Sequence, residues 1–271
     1  MKRLNVLQRV SQIFFTLLYN AYAYGFAGGT IYQGTLKVIP CPGFNCHSCP
    51  AAIFACPIGA IQLFAGYGRY YLSLYVLGVL ALIGSIGGRI VCGWACPFGF
   101  LQDMLHKIPA PVIPLARILE NVKYFILVVV VFGVAWYTKE PWFCKIICPA
   151  GTLEAGIPLM ALNSDLSQMA GTLFVIKVSA LVLLLVWMVF SKRPFCRVLC
   201  PLGAIYGLFN RVSLLRMRFV NQECIMDKKC SRACPVTHHI YKDGDNAGSC
   251  IRCFRCKTVC PKDALEIGMR K

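Results

Sequence analysis

Four apolar stretches, roughly residues 10–28, 71–90, 120–138 and 171–190, stand out along the chain between polar and glycine-rich segments. Each is near the length a helix needs to cross a hydrocarbon core of about 30 Å, so the pattern predicts four transmembrane helices. Arg9 and Asn20 sit in or beside the first stretch. The third has a short apolar centre, Tyr124 to Tyr137, and reaches spanning length by including Ile118 to Lys123. No small-x-small cleavage site follows the first stretch at the expected distance, which reads it as a retained helix rather than a signal peptide. After Phe190 the pattern changes. Segment 201–218, with Arg211, Arg216 and Arg218, reads as a basic amphipathic linker helix, and 219–271 as a compact soluble module. The expected fold class is therefore an integral membrane all-α domain (1–200, four transmembrane helices with an internal repeat) followed by a small C-terminal domain.

The repeat is carried by Cys56-Pro-Ile-Gly, Cys96-Pro-Phe-Gly, Cys148-Pro-Ala-Gly and Cys200-Pro-Leu-Gly. The last three have a second cysteine four residues earlier, at Cys92, Cys144 and Cys196, and the steps from Cys96 to Cys148 and from Cys148 to Cys200 are both 52 residues. Each unit would be one span plus one cysteine turn, on alternating faces, with function at the repeat interface. Segments 1–9, 91–119 and 191–271 then share one side and hold most of the basic residues. The positive-inside rule places that side, with both termini and the C-terminal module, in the cytoplasm. The expected location is the cytoplasmic (inner) membrane, multi-pass.

Composition narrows the classes. Of 271 residues 58% are hydrophobic and 14% charged, against about 25% charged in ordinary soluble domains; so apolar a chain is not disordered. The formal charge of +17 invites a nucleic-acid reading, but the basic residues are not interleaved with stacking aromatics on a soluble module. Positive loops and anionic thiolate-bound clusters account for them. His47, His106, His238 and His239 all lie outside the apolar stretches, which argues against a bis-His haem inside the bilayer. Lys177 reads as a residue snorkelling to the interface. Gly87-Gly88 has no strand before it, so a dinucleotide fold is unsupported.

Seventeen cysteines carry the chemistry. Cys250-x2-Cys253-x2-Cys256-x3-Cys260-Pro261 has the spacing of a bacterial ferredoxin run, whose fourth cysteine reaches the other cluster; zinc, which needs four ligands at many spacings, is the rival. The partner run, Cys224-x5-Cys230-x3-Cys234-Pro235, has Asp227 where the middle cysteine would fall. Crossed ligation assigns Cys250, Cys253, Cys256 and Cys234 to one cluster, and Cys224, Cys230 and Cys260, with Asp227 or solvent, to the other. Carboxylate is a harder ligand than thiolate, so this second cluster is expected to be Asp-ligated 4Fe–4S or 3Fe–4S, unless Asp227 is a surface residue. Cys92, Cys96, Cys196 and Cys200 make four thiolates on the inner face. On the outer face Cys144, Cys148 and Cys56 would be joined by Cys46 or Cys49, which spacing does not rank. Two rivals stay open there: Cys41, Cys46, Cys49 and Cys56 as a set of their own, and disulfides. The two C-terminal runs make their module, expected on the cytoplasmic side, a ferredoxin-like α+β domain, and the cofactors expected are three to four 4Fe–4S clusters.

The runs Cys92-Gly-Trp-Ala-Cys96-Pro-Phe-Gly-Phe-Leu-Gln-Asp103 and Phe195-Cys-Arg-Val-Leu-Cys200-Pro-Leu-Gly-Ala, with the two C-terminal runs, resemble the membrane polyferredoxins of the NapH/NosR type. The resemblance implies a cytoplasmic-membrane protein passing electrons between quinol or cytoplasmic donors and a redox partner at or across the membrane. The outer motifs Cys41-Pro-Gly-Phe-Asn-Cys46-His-Ser-Cys49-Pro and Cys144-Lys-Ile-Ile-Cys148-Pro depart from the common pattern and look like a subgroup found in anaerobes. Asp227 departs from it too. The function expected is an electron relay, an electron-transfer subunit of an oxidoreductase complex. Alternatives are a maturation factor reducing a partner's metal centre, a quinol dehydrogenase subunit, and a membrane thiol oxidoreductase. Redox subunits such as flavin or haem proteins, membrane lipid and quinone are the partners implied, and nucleic acid is not.

Overall fold

A computed structural model describes residues 2–168, 171–220, 223–243, 247–262 and 264–269. The fold is mostly helical, with one two-stranded sheet among the described residues. Its longer helices are Lys2–Tyr19, Pro57–Gly66, Tyr70–Gly87, Pro97–Leu105, Thr172–Phe190 and Pro201–Phe209. A further continuous helical stretch, Arg117–Thr138, contains the π-helical segment Ile126–Val134.

The expectation of four transmembrane helices is corrected. Among the described residues two helices are long and apolar enough to cross a membrane, Arg117–Thr138 and Thr172–Phe190. These correspond to the predicted stretches 120–138 and 171–190. Only 28% and 17% of their most apolar windows is buried within the protein, so their side chains face outward, as on a membrane-associated chain and unlike the core helix of a soluble domain. The stretch 10–28 is no single helix. Lys2–Tyr19 ends before Asn20, and a separate five-residue helix, Tyr24–Gly28, follows. The first helix is two-sided: Val6, Val10, Phe14 and Leu17 are exposed, while Gln8 and Gln12 are fully buried and both donate to the Gly93 carbonyl, at 2.8 and 3.0 Å. Its polar residues hold it to the cysteine-bearing core. The stretch 71–90 is broken after Gly87. Its apolar part, Tyr71–Gly87, is a shorter helix, and Gly88 turns the chain at φ +56°, where a Cβ would run into Asn210 and Arg252.

Each cysteine-proline motif starts a helix by the same device. Cys56, Cys96 and Cys200 occupy the N-cap, with proline in the first helical turn, where its missing N–H costs nothing. At three of the four motifs the sulfur also accepts from the backbone N–H three residues on: Gly99 to Cys96 at 3.4 Å, Gly151 to Cys148 at 3.3 Å and Gly203 to Cys200 at 3.3 Å, whereas Cys56 makes no side-chain cap bond. The glycine is required where the preceding turn folds back: a Cβ on Gly99 would lie 2.9 Å from the Cys92 carbonyl oxygen. The turns before these caps, Phe143–Ile147 and Phe195–Leu199, are matching π-turns closed by Cys148 N to Phe143 O and Cys200 N to Phe195 O, both 2.9 Å.

The C-terminal module is small. Strands β1 (Leu215–Phe219) and β2 (Leu265–Met269) pair antiparallel, with Met217 opposite Ile267. They cover a core of Met217, Ile240, Phe254 and Leu265, edged by Cys230, Cys256 and Cys260. Helix Pro201–Phe209 and β1 occupy the stretch expected to form a single linker helix.

Candidate metal centres

The structure gathers the cysteines into groups. Cys234, Cys250, Cys253 and Cys256 interact electrostatically with one another and line a common cavity with Cys230. His238 N donates to Cys234 Sγ at 3.3 Å. Cys230 is in electrostatic reach of Cys224 and Asp227, and Cys260 borders the same small core as Cys230. Asp227 is engaged locally: Oδ1 accepts from Lys229 N at 3.1 Å and Oδ2 lies 3.2 Å from Lys229 Nζ.

Cys92, Cys96, Cys196 and Cys200 form a second group, all buried and mutually in reach. Cys46, Cys56, Cys144 and Cys148 form a third. The structure thus places Cys46 beside Cys56 and Cys144. Cys49, like Cys46, is in electrostatic reach of Glu154 and Lys37. Cys41 lies between the second and third groups, in reach of both Cys56 and Cys96. All seventeen cysteines are free thiols here.

Two glutamines unforeseen in the sequence tie these groups together. Gln102 Nε2 donates to Cys196 Sγ at 2.9 Å, and Gln62 Nε2 donates to Cys144 Sγ at 3.4 Å. Each glutamine is six residues after its cysteine-proline cysteine, Cys96 or Cys56, and each reaches the first cysteine of the facing π-turn. Gln62 Oε1 also accepts from Phe143 N at 3.0 Å. That shared offset was the available signal.

The surroundings of the two groups differ. Arg89 and Arg193 are fully buried. Arg89 Nη2 donates to the Cys196 carbonyl at 3.0 Å and Nη1 to Gly248 O at 2.9 Å; its charge faces Cys92, Cys196 and Cys200. Arg193 Nη1 donates to the Cys92 carbonyl at 2.7 Å, and its Nε pairs with Asp103 Oδ1 at 2.6 Å. Asp103 Oδ2 also pairs with Arg255 at 2.5 Å and Arg9 at 3.3 Å. Burial alone would raise the Asp103 carboxyl, but Arg193, Arg255 and Arg9 outweigh it and hold it well below the usual carboxylate range. Beside the third group lies instead a buried carboxylate, Glu154, whose Oε2 accepts from Cys46 N at 2.8 Å and whose pKa burial pushes up to about 7.

These sites fit clustered iron. Burial pushes the thiols of Cys56, Cys96 and Cys234 up to about 12, so metal must displace protons to bind them. A buried arginine needs counter-charge; Arg89 has an Nε without a hydrogen-bond partner, and its charge faces Cys92, Cys196 and Cys200, where an anionic thiolate-bound cluster would supply that charge.

The cysteine groups and the ferredoxin spacing define an iron–sulfur electron-transfer protein that binds 4Fe–4S clusters. The comparisons are specific. A family described as a 4Fe-4S binding domain matches residues 69–115, 122–157 and 172–220. An uncharacterized protein of Methanocaldococcus jannaschii is 30% identical over 220 residues, 78% of this chain and 85% of the relative. The ferredoxin-type protein NapH of Haemophilus influenzae is 25% identical over 217 residues, covering 73% and 69%. The regulatory protein NosR of Pseudomonas aeruginosa is 29% identical over 181 residues, 63% of this chain and 23% of NosR. No solved structure matches. The chain belongs to the NapH/NosR-type polyferredoxin family.

Proposed function

We propose that the chain relays electrons between a donor or acceptor at its C-terminal module and a redox partner beside the Cys46–Cys148 group, with Cys92, Cys96, Cys196 and Cys200 between them. Cys234, Cys250, Cys253 and Cys256 hold one cluster; Cys224, Cys230 and Cys260, with Asp227, hold another; the two remaining groups hold one each. When bound, such clusters supply one-electron carriers. The observation that carries this reading is that packed aromatic side chains link neighbouring groups. Trp94 lies between the second group and the ferredoxin module, its indole N–H donating to Arg252 O at 3.0 Å and its ring 6.1 Å from Phe254. Phe44 stands between the second and third groups, 5.7 Å from Phe98, 6.5 Å from Phe143 and 5.1 Å from Phe195, ring centre to ring centre. Each of Phe143 and Phe195 directly precedes a grouped cysteine. Close packing of this kind excludes water from the path between the groups and holds the cysteine turns in place.

The chain's own residues set the charge at each station. Arg89 and Arg193 favour an added electron near Cys92 and Cys196, and Gln102 and Gln62 donate to sulfurs whose negative charge grows on reduction. Arg117–Thr138 and Thr172–Phe190 enter the membrane as an antiparallel pair and return the chain to the side of Lys107, Lys192 and Arg193, which is the cytoplasmic side by its basic excess. The ferredoxin module sits there, its Thr258 against Asn5 of the first helix at 3.3 Å. Iron and sulfide analysis with EPR during a redox titration tests the reading. Four clusters require about sixteen irons per chain if all are cubanes, or one fewer with a 3Fe–4S centre at Asp227; about eight irons would confine the function to the ferredoxin module.

A further inference from the structure

A cavity of about 200 Å³ opens at the joint between the second cysteine group and the ferredoxin module. It is lined by Arg9, Lys107, Lys192, Arg193 and Arg255, against Asp103 alone. The carboxylate is already shared by three of those arginines, so the cavity keeps a strong positive excess. Two helices end here, Pro97–Leu105 and Thr172–Phe190, and cations near C-terminal carbonyls are ordinary; that accounts for Lys107 and Lys192. Arg193 itself is buried, with Asp103 and the Cys92 carbonyl as its partners. Lys107, Arg9 and Arg255 are lining cations that keep exposed surface. A ligand that meets them is anionic.

The position of the cavity says where such a ligand comes from. His106 Nδ1 lies 3.0 Å from the Val189 carbonyl, so the cavity sits at the last turn of Thr172–Phe190. Beside it the chain lays an exposed apolar strip, Ile108, Val112 and Ile113, fixed to that helix end by Ile113 N to Phe190 O at 2.8 Å and Ser191 Oγ to Ile113 O at 3.0 Å. A basic pocket with an apolar strip at the end of a membrane helix matches a phospholipid lying in the interface. We infer that this cavity binds the headgroup of an anionic phospholipid, its phosphate beside Lys107, Arg9 and Arg255 and its chains along Ile108, Val112 and Ile113. Ala233 and Pro235 of the ferredoxin module also line the cavity, so the lipid joins the two modules. The inference rests on the membrane placement of Thr172–Phe190 and is independent of electron flow.

The full chain with its clusters, purified in non-ionic detergent, is titrated by native mass spectrometry with phosphatidylglycerol, phosphatidylcholine and inorganic phosphate. One phosphatidylglycerol is expected to bind about tenfold more tightly than phosphatidylcholine. Lys107→Glu, a change at an exposed side chain whose Nζ rests 4.0 Å from Met104 Sδ, is expected to weaken it about tenfold with iron content unchanged. Equal binding of the two lipids, or no effect of Lys107→Glu, would overturn the site. Displacement of phosphatidylglycerol by millimolar inorganic phosphate would overturn the lipid in favour of a free phosphate. Partition of the wild-type chain between membrane and soluble fractions checks the membrane placement separately.

Discussion

The Cys92–Cys200 group and the Cys46–Cys148 group are built from the same parts with opposite electrostatics. Both pair a cysteine-proline helix cap with a π-turn opened by phenylalanine, and both place a glutamine amide on the first cysteine of that turn. Around the first group the buried charge is cationic, Arg89 and Arg193; around the second it is Glu154, which carries its negative charge only above a pKa that burial pushes up to about 7. A positive charge favours an added electron and a negative one opposes it, and in a medium of low dielectric constant neither is well screened. Clusters held in the two groups are therefore expected to differ in potential, with the Glu154 side lower.

The largest expected effect tests whether the second group is a metal site at all. Cys148→Ala should remove about four irons from about sixteen while leaving the signals of the ferredoxin module in place; unchanged iron would leave the cationic group without a counterpart. Next in size is Asp103→Asn. Removing the carboxylate strands Arg193 in the core and should cost about 3–5 kcal/mol, read as a lower midpoint in urea. The pH dependence follows from the same pair. A carboxyl with its folded pKa depressed contributes stability that is present above its unfolded value of about 4 and is lost as pH falls toward the folded value, so wild-type should lose stability on acidification over a range where Asp103→Asn changes less. No equivalent acid-sensitive pair is described around the Glu154 group.

Smaller effects sharpen the likeness between the groups. Gln102→Leu and Gln62→Leu each remove a donor from one thiolate. Each should lower the potential of its own cluster by about 40 mV, the equivalent of roughly 1 kcal/mol for one electron. A shift in the other cluster instead would break the pairing of helix caps with π-turns. Glu154→Gln should move the second group's potential upward by a similar or smaller amount and leave the first unmoved.

How much of this was legible beforehand depended on range. Ligand runs within a few residues, such as Cys250 to Cys260, state their own geometry, and the 52-residue recurrence of cysteine-proline turns announced the repeat. Spacing does not rank Cys46 against Cys49, and what sets Cys46 apart in the fold, the Glu154 carboxylate 108 residues away accepting from its amide, is a long-range contact that no local pattern shows. The helices were misread where apolar content was counted without its neighbours. Gln8 and Gln12 look like polar blemishes beside an apolar stretch, yet they are the contacts that fasten the first helix to Gly93. The buried arginines were counted in the net charge, but their place beside the cysteines could be seen only in three dimensions.

The central claim is that two similarly built sites differ in charge and therefore in potential. An EPR-monitored redox titration of wild-type and Cys148→Ala protein tests it most directly. The account predicts a low-potential cluster signal in wild-type that is missing from Cys148→Ala, with the signal assigned to Cys92, Cys96, Cys196 and Cys200 titrating at higher potential in both. Loss of a signal that titrates above the remaining one, or identical titrations for the two proteins, would contradict it.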